Sequence, residues 1–330
     1  LGAVQAQEYA FGKWSVGQRA PGLTEQTVTD AIAEGRMIRT HALRPTWHFL
    51  ASDDARWILR LTSPRVIASQ TYYDRFLELD AATLARAYDA IGEALAGGKR
   101  MIRKQLQAVL TEAGIVGTGQ RIGRVLMHAE LDAVICSGGM IGKQHAYALF
   151  DDVIPDEAAL TGDEALAELT RRYFRSHGPA TLQDYRWWSS LPIAEIKRGI
   201  AMCSPEIESF DVEGATYWYA GSLDVTTAPS PSVYLLQAYD EYFVGHTGDR
   251  SVVDEAGLAG AILNRVSFAH TLVIDTQVVG RWRRVPGTTS ITVEVQLLRA
   301  LSIAEMDGLE AEVARYGAFV GVPAGLRIVE

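Results

Sequence analysis

Two amides stand two residues apart near the start of the chain, Gln5 and Gln7 of LGAVQAQEYAFGKW. In an extended segment residues i and i+2 share a face about 7 Å apart, so both side chains could enter one cleft. In a helix the same pair would diverge by roughly 200°. A carboxamide accepts and donates hydrogen bonds, so it can hold a water or a ligand in place. Two solvated surface amides are the plain alternative. His41 and His48 lie on MIRTHAL and TWHFL, two strands of one hairpin, where they serve either a ligand cleft or the structure. Asp240 and Glu241 in AYDEYF offer carboxylates for acid–base work. Adjacent residues diverge in direction, so at least one is expected to be structural, with Arg250 as a partner. Trp187-Trp188 in DYRWW reads either as core aromatics or as a surface on which a base stacks.

Other chemistries lack their patterns. GxSxG is absent, and Ser137 in ICSGGMIG has no strand-to-helix elbow. AGGKR and GTGQRIG are glycine-rich without matching a phosphate-binding loop, and fit helix ends instead. Two cysteines, Cys136 and Cys203, are too few for a disulfide framework or a four-thiolate zinc site; in apolar company both are expected as buried thiols. The 7 histidines show no metal-binding spacing, so no metal and no cofactor are expected. No apolar run approaches the roughly 18 residues of a membrane span and no signal peptide is visible, which predicts a cytoplasmic protein. The net charge of −9 opposes indiscriminate nucleic-acid binding, since affinity for phosphate comes from Lys and Arg. The basic stretches KRMIRK (99–104), QRIGR (120–124) and RWRR (281–284) nevertheless allow one basic groove on an acidic body.

The elements that would position these residues recur. TEQTVTDAIAEGR (24–36) has a Thr24 cap and helical spacing through Val28, Ala31 and Ile32. MIRTHAL and TWHFL follow as strands interrupted at Arg44-Pro45. Helices over 83–98, 101–114 and 118–133 lead to a second hairpin, AVICSGG and KQHAYALF. Helices over 162–178, 181–191 and 193–203 lead to a third, EIESFDV and ATYWYAG, turning at Glu213-Gly214. Helices closed by a hairpin are the order of a winged helix, and three in succession are stronger than one. The reading is α+β: three tandem winged-helix units around a central channel plus a small β-rich C-terminal domain. The units span 1–63, 83–150 and 151–228, with a linker at 64–82 and the β-rich domain at 229–330. The numbering begins inside a motif and without methionine, so the first unit is expected to lack its leading helix.

GAVQAQ (2–7), IRTHALRPTWHFL (38–50), LMHAEL (126–131), GKQHAYAL (142–149), GPATLQDYRWWSSLP (178–192) and YDEYFVGHTGDRS (239–251) together resemble the AlkZ/YcaQ-type DNA glycosylases, over nearly the whole chain. The resemblance implies three winged helices and a Gln–x–Gln or Gln–x–Asp pair in the active-site cleft, here Gln5 and Gln7. It implies hydrolysis of the N-glycosidic bond of alkylated purines, bulky N7-alkylguanine adducts or crosslinks among them, in double-stranded DNA. A purine alkylated on its ring is already cationic and leaves as a neutral base, so two neutral amides can suffice: one orients water, and a carbonyl dipole steadies the cationic sugar. His41, Trp47 and His48 would shape the lesion pocket, and Arg39, Arg44 and Lys143 would hold phosphates. A monomer near the nucleoid, and a setting of self-resistance to a genotoxic natural product, are compatible with this reading.

Two other classes compete. A non-catalytic winged-helix DNA-binding or regulatory protein would need a recognition helix rich in Arg, Asn and Gln. The 24–36 helix offers only Gln26 and Arg36, and TLQDYRWW is aromatic. An enzyme acting on a small molecule is the third reading, sustained by the acidic net charge.

Overall fold

The computed structural model describes residues 1–117, 119–154, 160–223, 230–247, 250–260 and 269–329, the side chains of 250 and 251 aside. Contacts between Cα atoms divide it into two compact units: Leu1–Ala3 with Asp30–Gly221, and Val4–Thr29 with Ser222–Glu330. Among the described residues no helix is long and apolar enough to cross a membrane.

The chain opens with strand β1 (Val4–Gln5), helix α1 (Tyr9–Arg19) and helix α2 (Glu25–Ala33). Helix α1 precedes α2 in the chain but belongs to the other compact unit. Gly12 and Gly17 dilute the helical pattern of YAFGKWSVGQR. Gly17 is dictated by packing, because a Cβ there would sit 2.5 Å from the Phe319 ring.

In the unit holding Asp30–Gly221, β2 (Met37–Ala42) and β3 (Arg44–Ala51) form an antiparallel hairpin. The turn falls at Leu43, which has φ 60°, and Arg44-Pro45 begins the second strand instead of interrupting the pair. A leucine tolerates this left-handed backbone because its side chain is wholly buried, which offsets the local strain. Helix α3 (Ser52–Phe76) runs straight on from the hairpin, so the segment expected as a linker is helical through Phe76. Helix α4 (Ala81–Leu95) is capped by Asp80, whose carboxylate accepts the Thr83 N–H at 2.7 Å. Strand β4 (Met101–Ile102), helices α5 (Arg103–Glu112) and α6 (Gly119–Leu131), and strands β5 (Ile135–Ile141) and β6 (Gln144–Leu149) follow, with sheet order β4-β6-β5. After the short α7 (Phe150–Val153), helices α8 (Gly162–His177), α9 (Leu182–Ser189) and α10 (Ile193–Met202) lead to the hairpin β7 (Ile207–Val212) and β8 (Ala215–Ala220).

The two tryptophans of α9 part company. Trp188 is fully buried 5.2 Å from the Tyr173 ring, which also stacks on Tyr185 at 4.5 Å, whereas Trp187 is half exposed. Cys136 and Cys203 are buried free thiols, and burial is the first cause raising the pKa of each.

The second unit is built on a five-stranded sheet. Its elements are β9 (Val233–Leu236), α11 (Glu241–Val244), a 3₁₀ turn (Arg250–Val253), β10 (His270–Ile274), β11 (Gln277–Pro286), β12 (Ile291–Leu297), α12 (Ile303–Val320) and β13 (Ala324–Val329). The sheet order is β13-β12-β11-β10-β9, antiparallel except for β12 and β13. Helix α1 is the N-terminal contribution to this unit. Its Trp14 is buried and donates its indole N–H to the Leu235 carbonyl at 2.8 Å.

Candidate functional site

The amide segment is fixed through its backbone. The Gln5 N–H donates to the Glu241 carboxylate at 2.8 Å, and the Gln237 side-chain amide donates to the Gln5 carbonyl at 3.0 Å. Both partners are buried and lie more than 230 residues along the chain. Gln5 itself is buried, Gln7 is half-buried, and Glu8 leads into α1 with an extended backbone (φ −100°, ψ 101°). The local chain thus leaves β1 extended before it coils.

The two carboxylates of the AYDEYF motif divide the work of holding this segment. Asp240 is fully buried and accepts from Arg19 at 3.0 and 2.5 Å, from Ser15 at 2.6 Å and from the Tyr242 N–H at 3.0 Å. It therefore caps α11 and ties down the end of α1, while Glu241 holds β1. Adjacent side chains do diverge, and both carboxylates carry structural bonds. The pairing expected with Arg250 lies outside the described side chains.

One imidazole links the start of α1 to the sheet. His270 packs against Phe11 at 4.0 Å and Trp282 at 5.2 Å, and its Nδ1 accepts the Ala238 N–H at 3.0 Å. Burial, then the nearby Arg284 guanidinium, push its pKa from 6.5 down to about 4. The Glu8 carboxylate faces Nε2 at 3.5 Å, and burial raises the pKa of that acid. The unfolded chain protonates this histidine across a window in which the folded chain does not, so stability must fall as pH drops from about 6.5 to about 4. We expect a loss on the order of 3 kcal/mol from this group, and a flatter stability–pH curve for His270→Gln. Urea unfolding of both proteins across that range checks it; parallel curves would remove the imidazole from the account.

In the other unit, the β2–β3 register sets His41 opposite Trp47 and Thr40 opposite His48. His41 Nδ1 hydrogen-bonds the Glu130 carboxylate of α6, both groups buried, and its ring lies 4.4 Å from that of Trp47. The Arg39 guanidinium covers Trp47, also at 4.4 Å. His41, Trp47 and Glu130 line a cavity of about 500 Å³ whose further walls come mainly from α3 and α6, with Arg103 of α5 and Tyr147 of β6. His48 does not join them. Neighbouring residues of a strand face opposite ways, and His48 is fully buried, with its Nδ1 against the Thr46 carbonyl at 2.9 Å and its Nε2 3.3 Å from Arg44.

The three cations expected on phosphates differ in setting. Lys143 is exposed in the tight turn between β5 and β6. Arg39 and Arg44 are each 7% exposed, the first over Trp47 and the second beside His48. Arg39 and Arg44 are thus held among packed groups, whereas Lys143 is open to solvent.

Several participants escape the sequence reading: Glu130, Gln237, the clamp by Glu241, and Tyr72, Tyr73 and Phe76 on α3. Glu130 had a signal. It sits on the face of α6 that otherwise buries Leu126 and Met127, and an acid on a buried face needs a partner.

A family model described as DNA glycosylase AlkZ-like matches residues 1–319. A protein of Streptomyces sahachiroi named interstrand DNA cross-link repair glycosylase is 24% identical over 343 residues, covering 94% of this chain and 89% of its own. The solved structure of Streptomyces sahachiroi DNA glycosylase AlkZ superposes with a TM-score of 0.79 at 22% identity, over 99% of this chain and 91% of that one.

Proposed function

Because the chain belongs to the AlkZ-like DNA glycosylase family, we propose that it excises alkylated purines from duplex DNA, bulky N7-alkylguanines and crosslinks through N7 among them, with Gln5 and Gln7 as its catalytic residues. The observation that carries this reading is the double clamp on the Gln5 backbone by Glu241 and Gln237. Buried side chains that fix a strand of two residues supply the preorganisation that amide catalysis needs.

The chemistry balances without an acid. Alkylation at N7 leaves the purine cationic, so the N9–C1′ bond breaks with its electron pair passing to N9 and the base departs neutral. One amide carbonyl faces the sugar as positive charge grows on it, the other holds the water whose oxygen bonds C1′, and the water's proton passes to solvent. The product is an abasic site. Three winged helices would carry the duplex, acting as a single chain, with Lys143 on a phosphate. The name of the Streptomyces sahachiroi relative supports crosslinks as substrates.

The test is a duplex holding one N7-alkylguanine, incubated with the protein and then treated with alkali to cleave abasic sites. Strand cleavage at the lesion, with the modified base recovered in the supernatant, is expected. A duplex that binds yet keeps its base would instead point to a non-catalytic DNA-binding role.

A further inference from the structure

We infer that the tip of the β5–β6 hairpin, Met140-Ile141-Gly142-Lys143, is a wedge that enters the minor groove of duplex DNA. Its two apolar side chains would part a base step while Lys143 holds a flanking phosphate. Exposure is the first reason. Met140 is 38% and Ile141 46% exposed, side by side at the end of a strand whose other residues are buried. Neighbours on a strand face opposite ways, so the tip shows one apolar side chain on each face. A lone exposed apolar residue is ordinary, but a pair set at the narrow end of a braced hairpin has a shape.

The hairpin holds that tip in place. Ile141 and Gln144 pair across a two-residue turn in which Gly142 leads with φ 59°, as a tight hairpin requires. Below the tip β5 bulges. Its register passes from Ser137 opposite Tyr147 to Met140 opposite His145, which leaves one extra residue on β5. Gly139 takes φ 80° there, and a Cβ on Gly138 would lie 3.0 Å from the Tyr147 carbonyl carbon. Arg100 ties the bulge down by donating to the Gly138 carbonyl at 2.9 Å. A bulge re-aims the residues beyond it, and here those are Met140 and Ile141.

Charge selects the occupant. The chain carries a net charge of −9, yet no Asp or Glu occurs between Asp132 and Asp151, or between Glu93 and Glu112. The second stretch lies beside the first, because β4 pairs with β6 at Met101–Tyr147 and Ile102–Ala146. It brings exposed Lys99, Arg100 and Lys104 to the hairpin. Arg103 and Lys104 stand in the first turn of α5, where cations oppose the helix dipole and cost stability. Cations kept there, with no acids among them, fit an anionic partner. The other two hairpins lack this combination. The β2–β3 turn buries Leu43, and the β7–β8 tip exposes Val212 between Asp211 and Glu213, whose carboxylates repel phosphate. An apolar point rimmed by cations fits a minor groove about 6 Å wide, where such side chains insert between base steps. A stable protein partner would need far more buried area than two side chains supply. The wedge rests on the duplex-binding part of the reading above, and on nothing about Gln5, Gln7 or base removal.

The test uses undamaged DNA. A closed circular plasmid is relaxed by a topoisomerase with the protein bound, and its linking number is read on a gel once the protein is removed. Parting base steps from the minor groove untwists the duplex, so the wild-type protein is expected to lower the linking number in proportion to the amount bound. Met140→Ser combined with Ile141→Ser is expected to shrink that change by about fivefold or more at equal occupancy. Both residues are exposed, so folding is not at stake, and thermal unfolding of the double variant checks this. Lys143→Ala is expected to weaken duplex binding and to lower its salt dependence by about one phosphate contact. A wild-type protein that leaves the linking number unchanged, or a double variant that shifts it equally, overturns the wedge. So does a dimer of the wild-type protein formed without DNA, seen by sedimentation velocity and abolished in the double variant, which would give the tip to a second copy. An untwisted plasmid with no excision of N7-alkylguanine would uphold the wedge and count against the proposed activity alone; excision with no untwisting would do the reverse.

Discussion

Gln5→Ala and Gln7→Ala are each expected to slow single-turnover release of an N7-alkylguanine by about 100-fold or more, with duplex affinity changing by less than about threefold. Removing one preorganised dipole from the place where charge develops costs that much in other enzymes. The loss belongs in the chemical step because an amide facing the sugar senses its charge only as the glycosidic bond breaks. Gln7→Asp makes the complementary test. A carboxylate at that position faces the same cation with a full charge, so its rate is expected within about tenfold of the wild type or above it. Quenched-flow or manual time courses on one defined lesion decide the matter. Wild-type rates in both alanine variants would remove the pair from the active site, whatever becomes of the family assignment.

The second large effect concerns stability. Arg19→Met strips Asp240 of the two guanidinium bonds that neutralise it, leaving Ser15 and the Tyr242 N–H. The carboxylate has no exposure to water, and methionine fills most of the vacated volume, so the cost is that of an uncompensated buried charge, about 3–5 kcal/mol. Asp240→Asn in the Arg19→Met background is expected to recover part of it, since an amide needs no counter-ion. Urea unfolding of the two variants and the wild type measures both terms. A single variant within about 1 kcal/mol of the wild type would mean that the site reorganises and that the ion pair contributes little.

What the sequence disclosed was local. Alternation in MIRTHAL and TWHFL, the cap at Thr24, and glycines after helices mark elements whose causes lie within a few residues. The helices and hairpins from α4 to β8 were readable for that reason. Helix α1 was not, because Gly17 answers to Phe319, some 300 residues away. The amides were legible as a pair and by resemblance, yet nothing nearby announces that Glu241 and Gln237 hold their backbone. The cavity joins His41 to Glu130 across 89 positions, and no periodicity reports such a meeting. Tyr72, Tyr73 and Phe76 fell within the linker expected at 64–82, which α3 enters and spans through Phe76. Carboxylates were the hardest to read: Asp240 and Glu241 offer the same chemistry on paper, and only their partners reveal two anchors.

The discontinuous unit bears on how the protein is made. Val4–Thr29 leaves the ribosome before Asp30–Gly221, yet groups that receive it, Leu235 for Trp14 and Glu241 for Gln5, are translated more than two hundred residues later. Asp30–Gly221 can collapse in the meantime as a contiguous stretch. The two bonds that Glu241 and Gln237 make to the Gln5 backbone can form only after residues 237–241 emerge. A nascent chain can therefore hold folded helices and hairpins while the Gln5 backbone still lacks both of these bonds.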